Sequence, residues 1–490
     1  MLLLFYNFSH LSIREPPDDF RALEEQLQEL FDEVKRLIRI GEVNDALVLL
    51  QANHELVKDH LNANIKGACE AATLDVIALG YMAVGDLKTV VSILLELNEV
   101  VDVLRDDAHV LDSVLMHMGS MYSTVGMADK SITAYQRAIC ILECKQGKDS
   151  AFLVPPLLGI ARSFAIIRRP AKALEIYRRA ISILEHSRGT ESKDLLVPLF
   201  QYGMLLIDVG KAADAETSFG RILSIYQTLY GETDGRVGVA LCSLAHVKLI
   251  TGSAEESISL YYKALNILKS ANFVSVDDNI MEKVRVDLAN LLHLVGRGGE
   301  GRILLEECLL ISEKYKGKEH TSTITHFLNL ASSYSQSKNF VEAERLLRTS
   351  LEIMAKKVSS DDQSVSFPKL HLAEVLFHQG KFEEAREFAL EALQIREKTF
   401  GSDSLPAGEA LDCLAAIETQ LGKPESELVD MLNRVLKIQE KEFGHESKEV
   451  MRTLVQIRYF LKRLDRKDEQ FSVNKRLSDL RKKYNIKYQQ

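Results

Sequence analysis

Gln379-Gly380-Lys381-Phe382-Glu383-Glu384-Ala385 and Val209-Gly210-Lys211-Ala212-Ala213-Asp214-Ala215 follow one pattern. In each, an apolar helical stretch halts at a Gly-Lys step, and a second stretch begins with an alanine five residues past the glycine. The same turn recurs at Gly126, Arg168, Gly210, Gly252, Gly296, Lys338, Gly380 and Gly422, with spacings of 42, 42, 42, 44, 42, 42 and 42. A fixed period of this size signals stacked supersecondary units, each too small to bury its own apolar face.

Other residues keep fixed offsets from the turn. Seven before it stand Gly119, Ala161, Gly203, Ala245, Ala289, Ala331, Ala373 and Ala415, a small residue in all eight units. Five after it comes Ala173, Ala215, Ser257, Ala343 or Ala385, and twelve after it Ala138, Ala180, Ala264 or Ala392. An aromatic follows at nine: Tyr135, Tyr177, Phe219 or Tyr261. Small residues let the two helices of a hairpin approach closely, and the aromatic fills the space between one hairpin and the next. A glycine at the turn supplies the positive φ that ends a helix sharply. At Arg168 the following Arg169-Pro170 provides the stop, because proline cannot continue a helix; at Lys338 a slightly different helix end is expected.

The pattern resembles the tetratricopeptide repeat, in the roughly 42-residue form found in kinesin light chains and nephrocystin-like proteins. Plant kinesin-light-chain-related proteins are similar. The likeness extends to the second-helix tails Ala392-Leu393-Gln394-Ile395-Arg396-Glu397-Lys398-Thr399-Phe400-Gly401 and Val435-Leu436-Lys437-Ile438-Gln439-Glu440-Lys441-Glu442-Phe443-Gly444. It implies an all-α, right-handed superhelical solenoid of antiparallel helix pairs. The asparagines that the resemblance implies on the first helices reach this chain at Asn329 alone. Only Phe20 to Arg39 precedes the first turn, with the apolar width of a packed helix face, so no motor-joining coiled coil is expected there.

Four segments are expected. Residues 1–19 are a poorly ordered N-terminal segment, and 20–109 hold two divergent hairpins turning at Gly41 and Gly85. Residues 110–449 carry the eight repeats, and 450–490 form capping helices with a basic tail, since end units must tolerate water on one face. That tail has ten Lys/Arg against four acids from Lys462 to Lys487 and is read as a solvated helix face.

The composition sets bounds on function. A chain of 490 residues with 46% hydrophobic content has the material for a long buried core, so extended disorder is not expected. A net charge of -9 argues against a nucleic-acid binder, which must neutralise phosphates. Six scattered cysteines suit a reducing, cytoplasmic compartment, with a plastid as the alternative if the true start lies upstream. Met1 to Tyr6 is apolar but far too short to span a membrane and has no basic flank before it. Cys140 and Cys144 share a helix face without further ligands at metal spacing.

Catalytic signatures are missing: there is no phosphate loop, His-Glu-x-x-His, serine elbow or Cys-x-x-Cys. The one glycine cluster, Gly296 to Gly301, falls on a hairpin turn and not after a strand. The expected protein is therefore a non-enzymatic scaffold or adaptor without cofactor, metal or small-molecule substrate. It would hold a peptide or helix of a partner protein in a concave groove lined by first helices. The candidate groove residues are Arg162, Gln201, Met204, His246, Asn290, His293, Asn329, His371, Glu374 and His378. A helical-repeat RNA-associated factor of an organelle is the alternative class; it calls for a shorter repeat and a basic face.

Overall fold

The computed structural model describes residues 18–484. The described residues are all helical, with 22 α-helices, three short 3-10 turns and no strand. Numbered in chain order, α1 (Asp18–Ile40) and α2 (Val43–Asn62) turn at Gly41, and α3 (Ala68–Val84) and α4 (Leu87–Val103) at Gly85. The eight periodic turns join α5 (Leu111–Thr124) to α6 (Ala128–Gln146), α7 (Val154–Ile166) to α8 (Pro170–Arg188), α9 (Leu196–Asp208) to α10 (Ala212–Tyr230), and α11 (Gly235–Ile250) to α12 (Ala254–Ser270). They continue with α13 (Asn279–Leu294) to α14 (Gly298–Tyr315), α15 (Thr321–Gln336) to α16 (Phe340–Ala355), α17 (Ser366–His378) to α18 (Phe382–Phe400), and α19 (Leu405–Gln420) to α20 (Glu425–Phe443). A last pair, α21 (Lys448–Arg463) and α22 (Lys467–Lys483), turns at Asp465. Of the N-terminal segment 1–19, all but Asp18 and Asp19 lie outside the described residues, as do 485–490 of the basic tail.

The chain divides into two compact units, one ending at Ile267 and the other beginning at Leu268. In the first, one apolar cluster runs from Val34 through Leu94 to Ile141, and a second from Ile132 through Tyr177 to Val247. In the second, Leu428, Leu432, Leu454, Ile457 and Leu480 close the C-terminal end. Burial follows the sequence columns. All eight residues seven before the turn are buried, and Ala138, Ala173, Ala180, Ala215, Ala264, Ala343, Ala385 and Ala392 are wholly so. Where serine takes the alanine place its hydroxyl is satisfied locally: Ser131 donates to Gly119 O at 2.6 Å and Ser257 to Ala245 O at 2.6 Å. That bond lets a polar atom sit in the tightest part of the hairpin.

The turn column is uniform in backbone and not in residue type. Gly126, Gly210, Gly252, Gly296, Gly380 and Gly422 have φ between 76° and 87°, and Arg168 and Lys338 hold the same left-handed region at 59° and 60°. Proline therefore does not replace the turn at Arg168, and the helix end at Lys338 does not differ. The hairpin imposes one geometry, and these two residues adopt it against the contact between Cβ and the following carbonyl. Lys338→Gly is expected to raise stability by about 1 kcal/mol, the left-handed penalty less glycine's extra unfolded-state entropy. An unchanged urea midpoint would show that the loop relaxes this strain elsewhere.

Successive hairpins are registered by a charged rung. Arg179 pairs with Glu143, and Arg221 with Glu185 at 2.6 Å, each linking one second helix to the next in the first unit. Arg434 pairs with Glu397 at 2.5 Å, and Arg476 with Glu440, in the second unit. Lys269 and Glu307, at 3.1 Å, hold the same rung with the charges exchanged. These pairs are partly solvated and contribute little energy each; their effect is on alignment.

Candidate binding groove on the first helices

One residue beyond each buried small position, a helix has rotated by about 100°. The residue six before the turn therefore points away from the hairpin contact. In the first unit this column presents Arg162, Met204 and His246, all exposed, and in the second Asn290 and Glu374 exposed with Ser332 and Ala416 half-buried. On α9, Val197, Phe200 and Met204 are 50%, 46% and 41% exposed at helical spacing, an apolar stripe beside half-buried Gln201. Burial pushes the Tyr177 phenol up to about 12, against the opposing pull of Arg162 nearby.

In the second unit the first helices enclose a cavity of about 620 Å³. Ser332 of α15, Phe367, His371, Glu374, Phe377 and His378 of α17, Asp412 and Cys413 of α19, and Arg452 and Gln456 of α21 line it, with Arg396 reaching in from α18. Three of the candidates read from the sequence, His371, Glu374 and His378, meet here. His371 is half-buried with Nδ1 enclosed and unpartnered, and burial holds its pKa below the usual range, so the ring is neutral. His378 is exposed at the cavity edge, stacked on Phe340 with centroids 4.8 Å apart. Burial pushes the Cys413 thiol up to about 12, which keeps it protonated and unreactive. Among the described residues no three His, Cys, Asp or Glu side chains are grouped to hold a metal.

The remaining candidates lie elsewhere. Asn329 is half-buried on α15 and Asn290 exposed on α13, neither among the residues lining this cavity. Arg162, Gln201, Met204 and His246 belong to the first unit. His293 corrects the sequence reading: its ring lies against its own hairpin partner and not in the groove. A Cβ on Gly298 would come within 2.7 Å of its Nδ1, and one on Gly301 within 3.2 Å of its Cδ2. The reason is helical phase, since His293 stands four residues after Ala289 and so shares the face that meets α14. The glycine cluster thus makes room for an imidazole.

The sequence reading missed Asp412, Arg396, Arg452 and Gln456. Arg396 carried a visible signal, because it stands sixteen after its turn, where Leu142, Leu184 and Ile438 stand in other units. A guanidinium in an apolar column marks local polar partners: Nη1 donates to Pro406 O at 2.7 Å and to Glu409 Oε2 at 3.0 Å. Arg285 is the parallel case, eleven before its turn where Leu157, Leu199 and Leu241 stand in other units; it is 1% exposed.

The sequence model of the tetratricopeptide repeat matches residues 194–270, 281–356 and 367–441. Among solved structures, a putative kinesin light chain from Podosopora anserina with nearly identical TPR-like repeats is 24% identical, covering 43% of this chain and 98% of that one, with a TM-score of 0.38. BtubC (BKLC) from P. vanneervenii is 18% identical over 48% of this chain and 91% of that one, TM-score 0.40. The apo quorum sensor NprR from B. thuringiensis is 13% identical over 83% and 97%, TM-score 0.45. No curated protein matches the chain. With three matched stretches, turns 42 residues apart and helices paired throughout, this chain carries tetratricopeptide repeats between residues 194 and 441.

Proposed function

We propose that the chain is a non-catalytic scaffold that captures a peptide or helix of a partner protein on its first-helix surface. The observation that carries this reading is the outward column six before each turn, with the cavity lined by four first helices in the second unit. Helical repeats recognise polypeptides by such surfaces, where side chains from successive units read successive positions of the ligand. No disulfide joins any of its six cysteines, which favours a reducing cytoplasmic setting. No helix among the described residues is long and apolar enough to cross a membrane.

The test compares two faces. Partners retained from native extract by the intact chain are identified by mass spectrometry and then titrated against variants. Arg162→Glu, Asn329→Asp and Glu374→Lys are each expected to weaken binding about tenfold, or 1.4 kcal/mol, with helicity and melting unchanged. Glu383→Lys and Glu387→Lys, exposed on second helix α18, should have almost no effect. Loss with the α18 changes and none with the others would move the binding surface to the outer helices.

A further inference from the structure

The cavity of the second unit has an unbalanced set of charges. Arg396 is taken up by Glu409 and the Pro406 carbonyl. Of the charges left facing the space, Glu374 and Asp412 are carboxylates and Arg452 is the single cation; none of the three makes an ion pair with another described residue. Asp412 Oδ1 and Gln456 Oε1 are enclosed acceptors without a donor, and His371 Nδ1 is a third enclosed atom without a partner. Arg396, only 6% exposed, keeps an Nε–H with no acceptor. Enclosed polar atoms left unmatched cost stability, so their grouping around one cavity points to a ligand that matches them. Burial pushes the Asp412 carboxyl upward, with Arg452 opposing, as expected of a carboxylate waiting for a closer cation. Phe367, 51% exposed at the same cavity, offers an open ring face.

We propose that this cavity seats a basic side chain, arginine before lysine, of the captured polypeptide. Its cationic head would meet the Glu374 and Asp412 carboxylates, and its stem would lie on Phe367 and on Leu370, which also lines the cavity. A guanidinium fits best, because it donates in a plane to several acceptors at once and stacks on an aromatic face. The enclosed Arg396 Nε–H is then left for a carbonyl of the same backbone. The inference rests on the first-helix surface being where the partner is held, and it adds the chemistry of one anchoring residue.

The test uses the full chain and ligand-observed saturation-transfer NMR with N-acetyl-arginine-N-methylamide. The citrulline amide removes only the charge, and the lysine and glutamate amides complete the set. The arginine amide is expected to bind, the lysine amide less well, and the citrulline amide about tenfold more weakly than arginine. Asp412→Asn and Glu374→Gln should each lower arginine binding several-fold. Arg452→Gln should strengthen it by removing a repelling cation, a result that loss of folding cannot mimic. Absent arginine binding, binding that survives in the Asp412→Asn, Glu374→Gln double variant, or preference for glutamate would each overturn the proposal. Capture that persists with the whole partner while the arginine amide fails would leave the scaffold reading standing and remove only this anchor.

Discussion

Gly159→Leu is expected to destabilise the α6–α7 contact by about 2 to 3 kcal/mol. Gly159 lies against Tyr135, the aromatic nine past its turn, and a Cβ there would fall 2.2 Å from the ring's Cζ. The ring has no retreat: a Cβ on Gly119, on its other side, would lie 2.8 Å away, and Tyr135 is 4% exposed. Overpacking typically costs about 1 to 3 kcal/mol and occasionally more; with the ring held from both sides the cost is about 3 to 4 kcal/mol, and the gain of up to about 1 kcal/mol from replacing a helical glycine offsets part of it. Because repeats touch only their neighbours, the damage should stay local. Native-state hydrogen exchange would speed up roughly 30- to 150-fold in α6 and α7 and remain unchanged in α17 to α20. Combining Gly159→Leu with Tyr135→Ala should recover most of the loss, since leucine then occupies the vacated space. Simple additivity of the two changes would show that the glycine makes room for something other than this ring.

The hairpin geometry was legible because burial along a repeat is a column property. A small residue at one offset in eight units can mean only one contact made eight times, and every member of that column is buried. Turn positions followed for the same reason, down to Arg168 and Lys338, where residue type misled and spacing did not. A second series is equally periodic. Gly147, Gly189, Gly231, Gly401 and Gly444 end second helices with φ between 81° and 91°. Three residues beyond them Ser150, Ser192, Asp234, Ser404 and Ser447 accept from backbone N–H groups at the start of the next unit. Together they form a stop and a cap.

The site was legible only in part, because a groove depends on convergence across units. His371, Glu374 and His378, read from the sequence, stand on one helix of the cavity; Asp412, Arg452 and Gln456 line it from neighbouring helices and were not among the residues read. The Arg452 position varies in type from unit to unit; Asp412 stands ten before its turn, where Met116, Leu158, Phe200 and Leu370 stand in other units, and Gln456 stands nine before Asp465, in the column of Gln201, Asn329 and His371. His293 departs by one helical step, because it lies in phase with Ala289 on the hairpin face and not on the groove face.

Asp75→Ala is expected to cost about 2 to 3 kcal/mol, chiefly in the first unit's α3 to α5 region. Asp75 on α3 is wholly buried and its Oδ2 lies 2.6 Å from Nδ1 of His117 on α5, so the pair ties consecutive first helices together. Removing one partner of a buried pair costs about 3 to 5 kcal/mol, and the lower figure applies here because His117 is 23% exposed and sheds its proton when its anion is gone. The intact pair also makes stability pH-dependent. Burial opposes charging His117, yet the Asp75 carboxylate prevails and its pKa stands above the usual 6.5. A histidine that holds its proton more tightly when folded adds stability that is full below the unfolded pKa and lost as pH rises through the folded one. Burial likewise raises Asp75, so its ionisation on raising pH works in the same direction. Amide protection in α3 and α5 should therefore fall as pH is raised from about 6 through His117's folded pKa, after correction for intrinsic exchange. Asp75→Asn should flatten that slope. A slope unchanged in Asp75→Asn would assign the dependence to other groups and leave Asp75 a purely steric element of the core.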